Sequence, residues 1–194
     1  MPTFDSKELL NSLRQDVKNL LAQLEQVKLD DAKLNQQQAP GKWSIAQILE
    51  HLNSYNRFYL PAINTAMRNT MLMPAETFKA GWFGNYFTNM MLPKAGGKVA
   101  NKMNAPKDHV PVAQLDSKKV IAEFTAGCHS LLEYLQKAER TDIGRIRVPI
   151  SISKFIKLKL GDTFRFLIAH KQRHFIQLTN TLAAIHAQSA SAAA

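Results

Sequence analysis

The chain has 194 residues, 45% of them hydrophobic and 21% charged, enough to bury one core, and a single domain is expected. No apolar run nears the ~20 residues of a bilayer span, and Asp5, Glu8 and Asp16 stand where a secretory leader would be hydrophobic. A cytoplasmic protein with no membrane contact is therefore expected. One cysteine, Cys128, excludes an internal disulfide, a zinc knuckle and a redox dithiol. Twenty-five Lys+Arg against fifteen Asp+Glu give a formal charge of +10, which favours anionic ligands without naming one.

From Phe4 to Leu29, Leu10, Leu13, Val17, Leu20, Leu24 and Val27 recur at steps of three and four and line one face of a helix. Ala39-Pro40-Gly41 breaks the pattern. Ser44 then stands as an N-cap with Gln47 three residues on, the spacing of a capping box. The second helix should run from Ile45 to Asn69, with a kink where Pro61 lacks its N–H. Periodicity fails from Met71 to Gln114, where prolines and glycines are scattered among aromatics and lysines. Short helical turns around Glu76 to Met91 are expected there, with Trp82, Phe83, Tyr86 and Phe87 packing on the rest.

Asp116 or Ser117 can cap a third helix carrying Val120, Ile121, Phe124, Cys128, Leu131 and Leu135 and ending near Arg140. Thr141 to Leu160 alternates apolar and basic residues, a strand-like pattern. Asp162 should open a fourth helix to about His186, and the domain should close at residue 188, leaving 189–194 as a flexible Ala/Ser tail. Four amphipathic helices with a long crossover between the second and third make an all-α four-helix bundle, and so long a crossover lets those two helices run parallel.

Three of the six histidines carry the most specific signal. His170 and His174 are one helical turn apart and share a face with Leu167 and Leu178. His51 lies between Ile48 and Tyr55 on the second helix. Three neutral imidazoles from two facing helices leave coordination positions open, as a catalytic metal site requires, although a buried histidine is often only a hydrogen-bonded core residue. Lys171 stands where a zinc peptidase places its Glu, which disfavours peptidase chemistry. Gln177, three residues after His174, can reach the same side and support it, or be an ordinary boundary glutamine. Cys128, on an apolar stripe, reads as core rather than nucleophile.

The run Lys42-Trp43-Ser44-Ile45-Ala46-Gln47-Ile48-Leu49-Glu50-His51-Leu52 resembles the signature of the DinB/YfiT-like superfamily. Phe166 to Gln177, with its histidine pair followed by glutamine, is similar to that family's last helix. The resemblance implies an up-down-down-up four-helix bundle, a divalent metal held by His51, His170 and His174, and a homodimer. It also implies a metal-dependent enzyme, either a transferase using a low-molecular-weight thiol such as bacillithiol, mycothiol or glutathione, or a hydrolase, acting on a small molecule. Such a site works by lowering the pKa of a thiol or water. Imidazole ligands do not choose the metal; zinc is favoured by its commonness, and nickel comes next. The alternative is a non-catalytic, metal-stabilised stress or interaction protein.

Basic residues gather in the two irregular connections: Lys79, Lys94, Lys98, Lys102 and Lys107 in one, Arg140, Arg145, Arg147, Lys154, Lys157 and Lys159 in the other. They are solvated loops or, if they border the site, partners for the carboxylates of a thiol. Nucleic-acid binding is disfavoured, because neither a recognition helix nor a base-stacking platform accompanies them.

Overall fold

The computed structural model describes residues 1–68, 70, 72–93 and 104–192. Four long helices carry it: α1 (Ser6–Glu25), α3 (Ile45–Arg68), α5 (Ser117–Ala138) and α6 (Leu160–Ala192). Shorter elements are α2 (Asp31–Asn35) and α4 (Trp82–Met91), and two antiparallel ribbons pair β1 (Thr3–Asp5) with β2 (Thr77–Lys79) and β3 (Arg147–Ile150) with β4 (Ser153–Lys159). Helix α3 packs against α5 and α6, and α1 packs against the same two. No helix of the described residues is long and apolar enough to cross a membrane.

Capping sets the helix starts. Ser44 Oγ accepts the Gln47 backbone N–H at 3.2 Å and Gln47 Oε1 accepts that of Ser44 at 3.0 Å, the reciprocal pair that the spacing announced. Asp116 caps α5 through the Lys119 N–H. Asp5 caps α1, so that helix starts at Ser6 and not at Phe4, which instead pairs with Phe78 across β1 and β2. It ends at Glu25, short of Leu29. Helix α3 continues past Pro61 to Arg68 without a break; Asn69, the expected last residue, lies outside the described residues.

Facing residues give the helix directions. Trp43, just before α3, and Tyr55 and Tyr59 along it meet His174, His170 and Phe166 of α6, so these two helices run antiparallel. Asn53 and Arg57 of α3 meet Val120 and Glu123 of α5, so this pair runs parallel.

Two expectations for the last helix are corrected. Asp162 does not start it; α6 begins at Leu160, straight out of β4, and the Asp162 carboxylate is buried, accepting the Gly81 N–H at 2.8 Å and pairing with Arg165 at 3.2 Å. A carboxylate inside the first turn is still well placed against the helix dipole. The helix also does not end near His186: it runs to Ala192, with Gln188 bonded to the Gln36 side chain and the Gln38 carbonyl.

The long connection contributes β2 and α4. Helix α4 lies on α6 through Gly84, Thr88 and Met91; of the four aromatics expected to pack inward, Phe87 does so, against Phe166, while Trp82, Phe83 and Tyr86 stay exposed. Close approach explains this: a Cβ on Gly84 would sit 2.3 Å from Asp162 Cβ and Cγ, so the small face must turn to α6. We expect Gly84→Ala to cost about 1–3 kcal/mol through overpacking, read as a lowered urea midpoint with unchanged m-value. An unaltered midpoint would show that α4 docks loosely.

Candidate metal centre

Packing α3 antiparallel on α6 brings His51, His170 and His174 into one cluster, each offering a nitrogen within 4.8 Å of the others. His51 and His170 are buried and His174 is half-buried. The structure therefore joins all three of the residues singled out by their helical spacing.

Hydrogen bonds fix where the protons are. A carbonyl can only accept, so His51 Nδ1–H donates to the His109 carbonyl at 2.7 Å, and the lone pair of neutral His51 lies on Nε2. His174 Nδ1 lies 3.0 Å from Gln177 Oε1 and donates to it, which leaves its Nε2 free as well. Gln177 thus sits where the sequence put it, beside His174.

His51 Nε2 lies 3.2 Å from His170 Nε2. Two imidazole nitrogens bound to one tetrahedral zinc at about 2.0–2.1 Å stand about 3.3 Å apart, so the observed separation fits a shared ion. Without one, a ring must spend a proton between the two nitrogens.

Burial keeps these rings neutral. Desolvation pushes His51 down to about 4, the partly offsetting bond to the His109 carbonyl notwithstanding, and His174 down to about 3. His170, wholly enclosed, lies well below the ordinary histidine range, first from desolvation and then from the neighbouring His174 and His51. Neutral imidazole is the form that ligates metal.

The cluster opens into a cavity of about 730 Å³, walled by Trp43, Tyr55, Tyr59, Phe87 and Phe166 among others. Trp43 lies over His51 and His174 at 4.9 and 6.2 Å, and Tyr55 over His170 at 4.4 Å. Residues 12–178 match the family model of the DinB superfamily. The chain belongs to the DinB superfamily. Among solved structures it is similar to YfiT from Bacillus subtilis, described as a probable metal-dependent hydrolase with an unusual four-helix bundle topology. That match has 11% identity and a TM-score of 0.48, and covers 91% of this chain and 85% of the other. No curated protein matches the chain.

In this DinB superfamily member, Lys171 turns away from the cluster into the seam between α3 and α5, where its Nζ donates to Asn56 Oδ1 at 2.6 Å. It takes no part in the cavity lining, and neither does Cys128, whose thiol is buried and pushed up by desolvation. Both connections contribute to the cavity wall, but none of their described lysines or arginines lines it; its cations are Lys42 and Arg173. Lys94, Lys98, Lys102 and the Lys154 side chain lie outside the described residues.

Two contributors escaped sequence reasoning. His109 ends a single 3₁₀ turn (Lys107–His109) in the long connection, stacks on Tyr55 at 3.9 Å and supplies the carbonyl that orients His51. Ser151, in the β3–β4 turn, lines the cavity. Neither carries a periodic or spacing signal, because each reaches the site from irregular backbone.

The lowered histidine values set a pH dependence for the metal-free protein. Unfolded, each ring titrates near 6.5; folded, His51 and His174 stay neutral down to about 4 and about 3. Below pH 6.5 the unfolded chain binds more protons, so stability falls as pH drops from about 6.5 towards 4 and 3, and this contribution is flat above 6.5. Chelated wild type should lose stability over that window more steeply than a His51→Gln/His174→Gln variant. Parallel profiles in urea titrations would contradict the neutral, buried assignment.

Proposed function

We propose that this protein is a metal-dependent enzyme in which His51, His170 and His174 hold one divalent ion, zinc first and nickel next, and act on a thiol or a water. The observation that supports it most is the convergence of neutral nitrogens, two of them with the proton locked on the far side of the ring. Three nitrogens and an open cavity suit a catalytic site better than a closed structural one.

A divalent ion there supplies a Lewis acid that lowers the pKa of a thiol or water. The chain's own residues arrange the rest. The His109 carbonyl and Gln177 orient two ligand rings, and Trp43 and Tyr55 screen them from bulk water. Lys42 and Arg173 bring positive charge to a lining that holds no Asp or Glu among the described residues, which favours a carboxylate-bearing reactant. A low-molecular-weight thiol meets that description, so thiol S-transfer is the preferred reaction and hydrolysis the second.

The finer architecture belongs to the same reading. An up-down-down-up order of α1, α3, α5 and α6 is supported by the antiparallel contacts of α3 with α6 and the parallel ones of α3 with α5. A single domain over residues 1–188, a homodimer and a cytoplasmic setting go with the family.

Elemental analysis of tag-free protein tests the reading. We expect about one metal per chain in wild type and loss of it in folded His51→Ala, His170→Ala and His174→Ala, with chelation lowering the melting temperature of wild type alone. Wild type that neither carries nor takes up metal sinks the proposal. Metal-loaded protein with no turnover on thiol-transfer or hydrolysis substrates would move it to the non-catalytic alternative. For Gln177→Leu we expect metal affinity weakened about 10–100-fold with helicity retained, measured by competition with a chromophoric chelator.

A further inference from the structure

Ser151 lines the same cavity, and a second set of reactive groups stands behind it. Ser151 Oγ lies 3.2 Å from His109 Nε2, and the Ser151 backbone N–H donates to the Tyr59 hydroxyl at 3.2 Å. The buried face of the β3–β4 ribbon, Val148, Ile150 and Leu158, pins the turn that carries Ser151.

The proton positions follow from one end of the chain of bonds. Ser54 donates its only hydroxyl proton to the His51 carbonyl at 2.7 Å, because a carbonyl cannot donate. Ser54 Oγ must then accept from His109 Nδ1–H at 2.8 Å. In the neutral ring this leaves a lone pair on His109 Nε2, aimed at the Ser151 hydroxyl. The ring cannot turn freely: it is 7% exposed, stacked on Tyr55, and its own carbonyl is held by His51. A hydroxyl, a base bonded to it and a third group orienting the base make the arrangement that activates a serine.

We propose that Ser151 is a nucleophile, with His109 as its base and Ser54 as the positioning residue, in an acyl-transfer site that takes carboxylic esters with an apolar acyl group. The acyl preference follows from the cavity wall next to Ser151, where Ile150, Ile152, Leu158 and Phe166 offer no charge. In the acylation step the Ser151 Oγ–carbon bond forms and the hydroxyl proton passes to His109 Nε2. The ester C–O bond then breaks, and that proton leaves with the alcohol. Water repeats the sequence on the acyl-serine and releases the carboxylic acid. No redox partner is needed, and none of these atoms is a metal-facing nitrogen of the cluster.

The test uses the full chain, with and without a chelator, and a fluorophosphonate probe, whose P–F bond breaks as the serine oxygen bonds phosphorus. Intact mass and peptide mapping read the product. The expected result is one adduct per chain on Ser151, formed also in chelated protein, absent in Ser151→Ala, and formed about a hundredfold more slowly in His109→Gln. Turnover of 4-nitrophenyl butyrate should follow the labelling. Because the His109 carbonyl also supports His51, Ser54→Ala serves as a second variant: it leaves the His109 backbone in place and should slow labelling at least tenfold with unchanged circular dichroism. No adduct on Ser151, or labelling at the wild-type rate in both folded variants, overturns the proposal. Since labelling is read on chelated protein, its failure leaves the metal reading standing, and a protein that binds no metal leaves this one standing.

Discussion

Enclosing three imidazoles between two antiparallel helices is the constraint to which the rest of the site answers. A buried imidazolium is costly, so His51, His170 and His174 fold as neutral rings. A neutral ring has one N–H to satisfy and one lone pair to place. For His51 the N–H goes to the His109 carbonyl, and for His174 to Gln177, so both remaining lone pairs turn inward. The chemistry of the centre is thus decided by outer hydrogen bonds and burial, before any ion is considered.

That arrangement ties irregular segments to the helical frame. The carbonyl required by His51 comes from a 3₁₀ turn in the long connection, whose ring is in turn held by Ser54 of α3 and Ser151 of the ribbon. The same connection is anchored a second time, where Gly81 and Gly84 let α4 approach the buried Asp162. Asp162 is itself neutralised by Arg165, which lies over Phe4 of β1 at 4.6 Å. A charged pair so far from solvent is costly to break, because either partner left alone would be a buried, unpaired charge. Both anchors explain how a long segment of weak sequence pattern can form one wall of a cavity.

Much of this was legible in the residues. The stripes of α1, α3 and α5 are periodic and buried as expected, since helix pairing needs one continuous apolar face. The capping box at Ser44 and Gln47 is local and survived intact. The i, i+4 pair on α6 faces inward for the same reason: helical spacing is a local property. What could not be read depends on tertiary contact. Asp162 resembled a cap because acidic residues favour helix starts, yet its carboxylate is used by Gly81 from another element. The Ala/Ser run after residue 188 looked unstructured by composition, but alanine is the best helix former and the last helix simply continues to Ala192. His109 and Ser151 act from irregular backbone, where sequence spacing carries no angular information.

Lys171 shows how the core behind the cluster serves it. Between two inward-facing histidines, its helical position directs the side chain to the α3–α5 seam, where Asn56 accepts from the ammonium and Phe124 lies 5.8 Å beneath it. Room for that contact comes from Gly127, where a Cβ would stand 2.5 Å from Asn56 Nδ2. Desolvation lowers the Lys171 pKa, but a lysine that retains its proton there repels protons from the rings beside it. Its charge is among the causes, after desolvation, that lower all three histidines. A carboxylate in the same place would do the opposite and raise the histidine values. The charge at position 171 therefore acts with burial to keep the rings neutral, the form in which His51 and His174 hold their Nε2 lone pairs towards the cluster.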